Sequence, residues 1–268
     1  MKYAIISDIH SNLEAFQKVI DAIKKEKVNK YLFIGDVVGY GANPSECISK
    51  LKKLGCVGVA GNHDWGTVER TSIEHFNSYA QEAIKWTIEK LSKKDREFLQ
   101  SLPLVQKIDD ITLVHSAFPN PDKWDYIRST FQAHKSIELQ ETSISFAGHS
   151  HVPITFWEQV GIRGPTRFTK EEKIQIQEGY KYFINVGSVG QPRDSNPKSS
   201  YAIYDEKSRI VEIKRIEYDI KKHRIRFLKR DCQDFWGKDW NSENEISYFT
   251  PTSKISGLES TSPYRRPH

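Results

Sequence analysis

Short apolar runs of strand length alternate with helical stripes through the first half of the chain. The runs are Tyr3-Ala4-Ile5-Ile6, Tyr31-Leu32-Phe33-Ile34, Val57-Gly58-Val59-Ala60, Ile111-Thr112-Leu113-Val114 and Ile144-Ser145-Phe146-Ala147. Each is bounded by polar or glycine positions and reads as a strand. After the first, Ser11 with Glu14 three residues on forms a capping box, and Leu13, Phe16, Ile20 and Ile23 give a helical stripe. After the second, Asn43 caps a helix with Pro44 at its first position and Glu46 as box partner. Ile48, Leu51 and Leu54 line that helix and Gly55 ends it. Strand, loop and helix thus recur, as at the start of βαβ units.

Thr67 to Leu102 reads as helical, with Ala80, Ala83, Ile84, Thr87, Ile88 and Leu91 at helical spacing. Ser92 caps a further short helix that ends before Pro103, and Phe131–Leu139 reads as another. Beyond residue 151 the pattern changes. Strands are predicted at Ile154–Trp157, Lys173–Gln177, Tyr182–Val186, Ser200–Tyr204 and Ile210–Ile216, spaced as antiparallel hairpins. A basic helix follows from Asp219 to Asp231, with Ile220, Phe227 and Leu228 as its apolar face. Residues 1–233 form the predicted domain. Residues 234–268 lack periodicity and are expected either to stay unpacked or to dock through aromatics such as Trp236, Trp240 and Tyr248. Two sheets packed face to face, with helices outside, accommodate this order of elements.

The 268 residues carry a net charge of +5, which favours anionic substrates such as phosphates but is too diffuse to argue nucleic-acid binding. Three cysteines, Cys47, Cys56 and Cys232, show no C-x-x-C spacing and read as reduced thiols. No basic leader precedes an apolar stretch at the start, and no apolar run is long enough to span a bilayer. A soluble cytoplasmic protein without a membrane partner is the expectation.

The residues just beyond the strand ends carry the candidate chemistry. Asp8-Ile9-His10, Gly35-Asp36, Gly61-Asn62-His63-Asp64, His115 and Gly148-His149-Ser150-His151 each stand at the end of one apolar run. In open α/β sheets the crevice at the carboxyl ends of the strands is where ligands bind. Carboxylate, amide and imidazole donors without thiolate suit borderline divalent metals. Two such metals about 3.5–4 Å apart can lower the pKa of a bridging water and clamp phosphoryl oxygens, which is what phosphate ester hydrolysis needs. A carboxylate is the natural bridge, and on residue type alone either Asp8 or Asp36 qualifies.

The ordered series Asp-x-His, Gly-Asp, Gly-Asn-His-Asp, a lone His and Gly-His-x-His resembles the calcineurin-like metallophosphoesterase superfamily. Its five blocks run from Asp8 to His151. The resemblance implies a mixed α/β (α+β) fold, a four-layer αββα sandwich of two mixed sheets flanked by helices. It implies that Asp8, His10, Asp36 and His151 hold one metal, and that Asp36, Asn62, His115 and His149 hold the second. Asp36 is then the bridge. His63 is implied to be a non-ligand that stabilises phosphoryl charge or protonates the leaving oxygen. Asp64 either orients that imidazole or serves the turn. His75, His134, His223 and His268 lie outside the blocks and read as structural.

The segment Asn185-Val186-Gly187-Ser188-Val189-Gly190-Gln191-Pro192-Arg193-Asp194 resembles an Asn-x-Gly-Ser-Val stretch of the bacterial and archaeal phosphodiesterase-like branch. It makes Ser188 and Arg193 candidate substrate contacts, against the plainer reading of a glycine-rich turn. Trp124-Asp125-Tyr126 offers aromatics that either stack on a substrate or belong to the core. Protein Ser/Thr phosphatases and symmetric diadenosine-tetraphosphate hydrolases carry a phosphate-binding Arg soon after Gly-Asp. This chain reads Val37-Val38-Gly39-Tyr40-Gly41 there. The expectation is a two-metal phosphohydrolase acting on phosphodiesters or nucleotides through a metal-bridging hydroxide, with manganese first and Fe, Ni, Co or Zn as alternatives. A phosphomonoesterase or dinucleoside polyphosphate hydrolase is the second reading. A non-catalytic scaffold of the same fold is the third, and the filled ligand positions speak against it. The expected partner is a small phosphate ester or nucleotide; nucleic-acid binding and oligomeric state stay open.

Overall fold

Along the first strand, β1 (Lys2–Ile6), side chains alternate between two buried faces. Tyr3 and Ile5 point into one apolar layer, Ala4 and Ile6 into another. That is why the run is continuously apolar: a strand covered on both sides has no polar face. The computed structural model describes the backbone of residues 1–235 and the side chains of residues 1–230. A compact unit spans Met1–Leu228. The predicted tail beyond residue 235 and the Cys232 side chain lie outside the described residues.

The strands β2 (Lys30–Ile34), β3 (Val57–Val59), β9 (Lys173–Gln175), β11 (Ser199–Asp205) and β12 (Ile210–Ile216) join β1 in one sheet, ordered β3-β2-β1-β11-β12-β9. The pairs β1–β2 and β2–β3 are parallel; β1–β11, β11–β12 and β12–β9 are antiparallel. A second sheet contains β4 (Val105–Ile108), β5 (Ile111–Val114), β6 (Ile144–Ala147), β7 (Ile154–Gln159), β8 (Arg167–Thr169) and β10 (Tyr180–Asn185). Its order is β4-β5-β6-β10-β7-β8. The sequence pattern suggested hairpins for all the later strands, but β10 lies parallel to β6 on one side and antiparallel only to β7.

Four layers follow from the cores. Ile5, Leu32 and Val59 of one sheet meet Leu113, Phe146 and Ile184 of the other. The outer face of the first sheet is covered by α1 (Leu13–Ile23), α2 (Pro44–Lys53) and α5 (Lys93–Ser101), through Phe16, Ile48 and Leu99. The outer face of the second is covered by α6 (Thr130–Leu139), whose Ala133 and Ile137 pack on Phe156 and Phe183. The predicted αββα arrangement is what forms. The remaining helices are α3 (Asn62–Thr67), α4 (Ser78–Lys90) and α7 (Ile220–Phe235). None of the described helices is long and apolar enough to cross a membrane.

Some local signals resolve differently from the expectation. Ser11 does not cap α1; the Asn12 side chain accepts from the Ala15 N–H at 3.0 Å instead. Glu14 is therefore outside the predicted box, and its buried carboxylate takes the Arg226 guanidinium of α7 at 3.1 Å. Arg226 also donates to Asn43 Oδ1 at 3.2 Å, tying the basic helix to the loop before α2. Of the residues predicted as helical from Thr67 to Leu102, α4 and the separate Ser92-capped α5 form, but a non-helical loop stands before Asn77.

Candidate metal centre

The loops after β1, β2, β3, β5 and β6 carry all seven predicted ligands, and all are buried. Three groups have donor atoms within 4.8 Å of one another: Asp8, His10 and His151; His10, Asp36 and His63; and Asp36, His115 and His149. Asp8 Oδ1 stands 3.2 Å from His151 Nε2. Asp36 Oδ2 stands 3.7 Å from His10 Nε2 and 3.3 Å from His115 Nε2, between the first set and the last. Asn62 Oδ1 lies 3.2 Å from His115 Nε2.

Tight loops aim these side chains. Asp8, His10, Asp36, His149 and His151 all have φ between 47° and 66°, a left-handed conformation that costs a non-glycine residue about 1–3 kcal/mol. The surrounding bonds hold them there. Asp8 N–H donates to Gly35 O, His10 N–H to Asp36 O and Gly148 N–H to His115 O. At Gly148 a Cβ would overlap the Ser7 hydroxyl and crowd Asp8 Oδ2, so only glycine lets this loop approach. Asn185 completes the support, donating to Gly148 O and to Ser150 Oγ.

The fit to cations rests on the imidazole lone pairs. The Nδ1 atoms of His10, His115 and His151 lie on the carbonyls of Val38, Ile34 and Gln191 at 3.1, 2.7 and 2.6 Å. A carbonyl only accepts, so each Nδ1 carries a proton and each ring turns its Nε2 inward, the atom that can offer a lone pair to a cation. His149 is the reverse: Nε2–H donates to Trp124 O at 2.7 Å, which leaves Nδ1 as its donor. His10 Nε2 and His151 Nε2 are 3.1 Å apart. Two lone pairs at that distance, beside two buried carboxylates, call for positive charge between them. Burial disfavours a charged His115, but Asp36 and Asp8 raise it to about 9, a measure of the negative field these carboxylates set up in the site. Burial drives His149 down to about 3.

His63 opens α3 beside Asn62. Its Nδ1 is buried against Gly39 and has no hydrogen-bond partner, while the ring lines the central cavity. Burial lowers it to about 4, although Asp36 opposes the shift. On distance alone it also stands as a ligand with His10 and Asp36.

Two expected roles do not match the geometry. Asp64 does not reach the His63 imidazole; its fully buried carboxylate accepts from the N–H groups of Asp36, Val37, Val38 and Gly61 at 2.8–3.3 Å. It serves the turn, locking the β2 loop to the β3 loop. Ser188 does not face a substrate either. It is fully buried, donates to Asp8 O at 2.8 Å and accepts from Gln191 N–H at 2.7 Å, bracing two metal loops. Arg193 is exposed at the cavity rim, bonded to Gln191 Oε1 at 2.7 Å.

The cavity of about 690 Å³ runs from Asp36 and His149 past Trp124 to Arg70. Trp124 joins its two lips: its indole N–H donates to Thr71 Oγ1 at 3.1 Å and its ring meets Trp65 edge-on. Its carbonyl fixes His149, so the residue that read as core from the sequence also orients a ligand.

The family model for the calcineurin-like phosphoesterase superfamily domain matches residues 1–209. The chain belongs to that superfamily. It is therefore a phosphoric ester hydrolase by family. It is 40% identical over 239 residues to an uncharacterised protein of Methanocaldococcus jannaschii, covering 88% of this chain and 95% of that one. Among solved structures it is similar to a metallophosphoesterase of Sphaerobacter thermophilus, at 33% identity and a TM-score of 0.74, covering 86% of this chain and 95% of that one. A hypothetical protein of Pyrococcus horikoshii OT3 shares the fold at 21% identity and a TM-score of 0.70, with 86% and 93% covered.

Proposed function

We propose that this superfamily member hydrolyses phosphodiesters, nucleotide-type esters among them, at a centre of two divalent cations. The observation that carries the reading is the position of Asp36 Oδ2, between His10 Nε2 at 3.7 Å and His115 Nε2 at 3.3 Å. Asp8, His10, Asp36 and His151 would hold one cation, and Asp36, Asn62, His115 and His149 the other. The all-nitrogen-and-oxygen donor set supports manganese first, with Fe, Ni, Co or Zn as alternatives.

Bound cations supply an activated water and neutralise charge on the phosphoryl oxygens. The chain's own residues do the rest. Water adds to phosphorus and loses a proton to solvent, the ester P–O bond breaks, and the departing oxygen is stabilised by a hydrogen bond from His63 at the cavity wall and takes its proton from solvent. Burial keeps that imidazole largely neutral at pH 7, so its N–H serves as a hydrogen-bond donor to the departing oxygen rather than as a standing cation or a free proton source. Trp124 O and the Val38, Ile34 and Gln191 carbonyls hold the ligand rings in register.

Phosphodiesters are favoured because Tyr40, a neutral phenol, occupies the stretch where related phosphatases place an arginine. A diester brings one negative charge to the reacting phosphorus, against nearly two for a monoester. Arg193 at the rim favours the phosphomonoesterase reading. With Mn present, kcat/KM should be higher for bis(p-nitrophenyl) phosphate than for p-nitrophenyl phosphate. A preference for the monoester that Arg193→Ala abolishes would establish the second reading instead.

A further inference from the structure

We propose that Phe76 and Tyr40 wall a subsite for an aromatic ring, a nucleobase or an aryl group, on the leaving-group side of the reacting phosphorus. The proposal rests on the reading of His63 given above. A group that donates to the departing oxygen has the leaving group beside it, so the neighbours of His63 on the cavity side decide what can leave.

Those neighbours are aromatic. The Tyr40 ring centroid is 4.6 Å from that of His63 and tilted by 47°; the Phe76 centroid is 5.6 Å away and tilted by 55°. Both residues line the cavity, and Phe76 is only half-buried. Phe76 is seated where it is by its own loop: its N–H donates to Ile73 O, and the ring edge lies over Gly66 of α3. A volume of about 690 Å³ is far more than a phosphoryl group fills. Pockets of roughly 300–1,000 Å³ hold ligands with a ring system. Asn77 and Thr71 add hydrogen-bonding groups to the same rim.

The other ring in reach is already used. Tyr126 stacks on His149 with centroids 4.1 Å apart and planes 17° apart, and the Arg128 guanidinium lies 4.1 Å from the same ring centre. Two groups that close to one centroid occupy opposite faces, so Tyr126 has no face left for a ligand. Trp124 is held edge-on by Trp65 and by its bond to Thr71. Tyr40 is itself packed against His10 at 4.9 Å and His63 at 4.6 Å and so closes the wall, and Phe76 offers the ring contact next to His63.

The test compares methyl p-nitrophenyl phosphate, from which the aryl group leaves, with bis(2,2,2-trifluoroethyl) phosphate, which has no ring. Ring stacking is worth about 1–3 kcal/mol by alanine substitution, so Phe76→Ala should lower the ratio of the two kcat/KM values by about 5- to 150-fold. Phe76→Trp should keep the ratio within a factor of about three of wild type. A ratio unaltered in Phe76→Ala would overturn the subsite, whether both rates fall together or neither does. If wild type with Mn hydrolyses neither diester, the phosphodiesterase reading fails by itself. The subsite is then judged by 5′-AMP binding to the Mn-loaded protein: weaker binding to Phe76→Ala supports it, and equal binding overturns it.

Discussion

His10 Nε2 and His151 Nε2 face each other across 3.1 Å, and each ring is fixed by its Nδ1–H on a backbone carbonyl, Val38 for one and Gln191 for the other. Neither ring can swap its tautomer without breaking that bond. Two imidazole nitrogens turned toward each other at that distance suit a shared cation, as proposed above. Adding Mn at about 100 times its Kd to chelated protein should stabilise the fold by about 2.7 kcal/mol and raise Tm by about 5–10 °C. Thermal melting at several Mn concentrations reads this directly, and a flat Tm would show that the site does not bind the ion.

Binding and chemistry should separate at His63. His63→Gln should keep both cations, measured by elemental analysis, while kcat falls by about 10²- to 10⁴-fold, the usual contribution of a positioned proton donor. Loss of metal from this variant would make His63 a ligand, as its place beside His10 and Asp36 also permits.

Asp64 is expected to act on stability and metal affinity rather than on the proton. Asp64→Asn puts an amide NH₂ among four N–H donors and removes the charge they face. The loss should be about 3 kcal/mol or more in a denaturant titration, with weaker Mn binding, because the Asp36 loop is no longer fixed. Unaltered stability would contradict the bracing role.

Ser188→Ala leaves Gln191 N–H without its partner, while Asp8 O keeps only the Gly190 N–H, at a cost of about 1–3 kcal/mol. KM for a diester should stay within about twofold of wild type. A large rise in KM at unchanged stability would restore the substrate contact that the sequence pattern suggested.

Much of the candidate site was legible because each predicted ligand lies in the loop that follows a strand, and strand ends converge by the rules of the fold. Asp8, Asp36, Asn62, His115 and His149 needed no long-range information beyond that. The supporting shell was not legible, since the Val38, Ile34, Gln191 and Trp124 acceptors are carbonyls that any residue type supplies. Ser188 misled because a glycine-rich turn looks the same whether its hydroxyl faces a ligand or a neighbouring loop. Ser11 misled because Asn12, one position later, makes a competing cap. The short strands β4 and β8 escaped because Gln106 and Lys107 break the apolar run in one, and Phe168 is exposed in the other. The parallel pairing of β10 with β6 is set by the layer packing, and local alternation carries no trace of it.

The proposed chemistry requires Asp36 as the carboxylate common to two cation sites. The most direct measurement is a Mn titration of chelated protein by calorimetry, run on wild type and on Asp36→Asn, with circular dichroism to confirm that the variant is folded. The expected result is two Mn per wild-type chain, and less than two per chain with hydrolysis abolished in the variant. One Mn per wild-type chain, or two retained by an Asp36→Asn enzyme of normal activity, would contradict it.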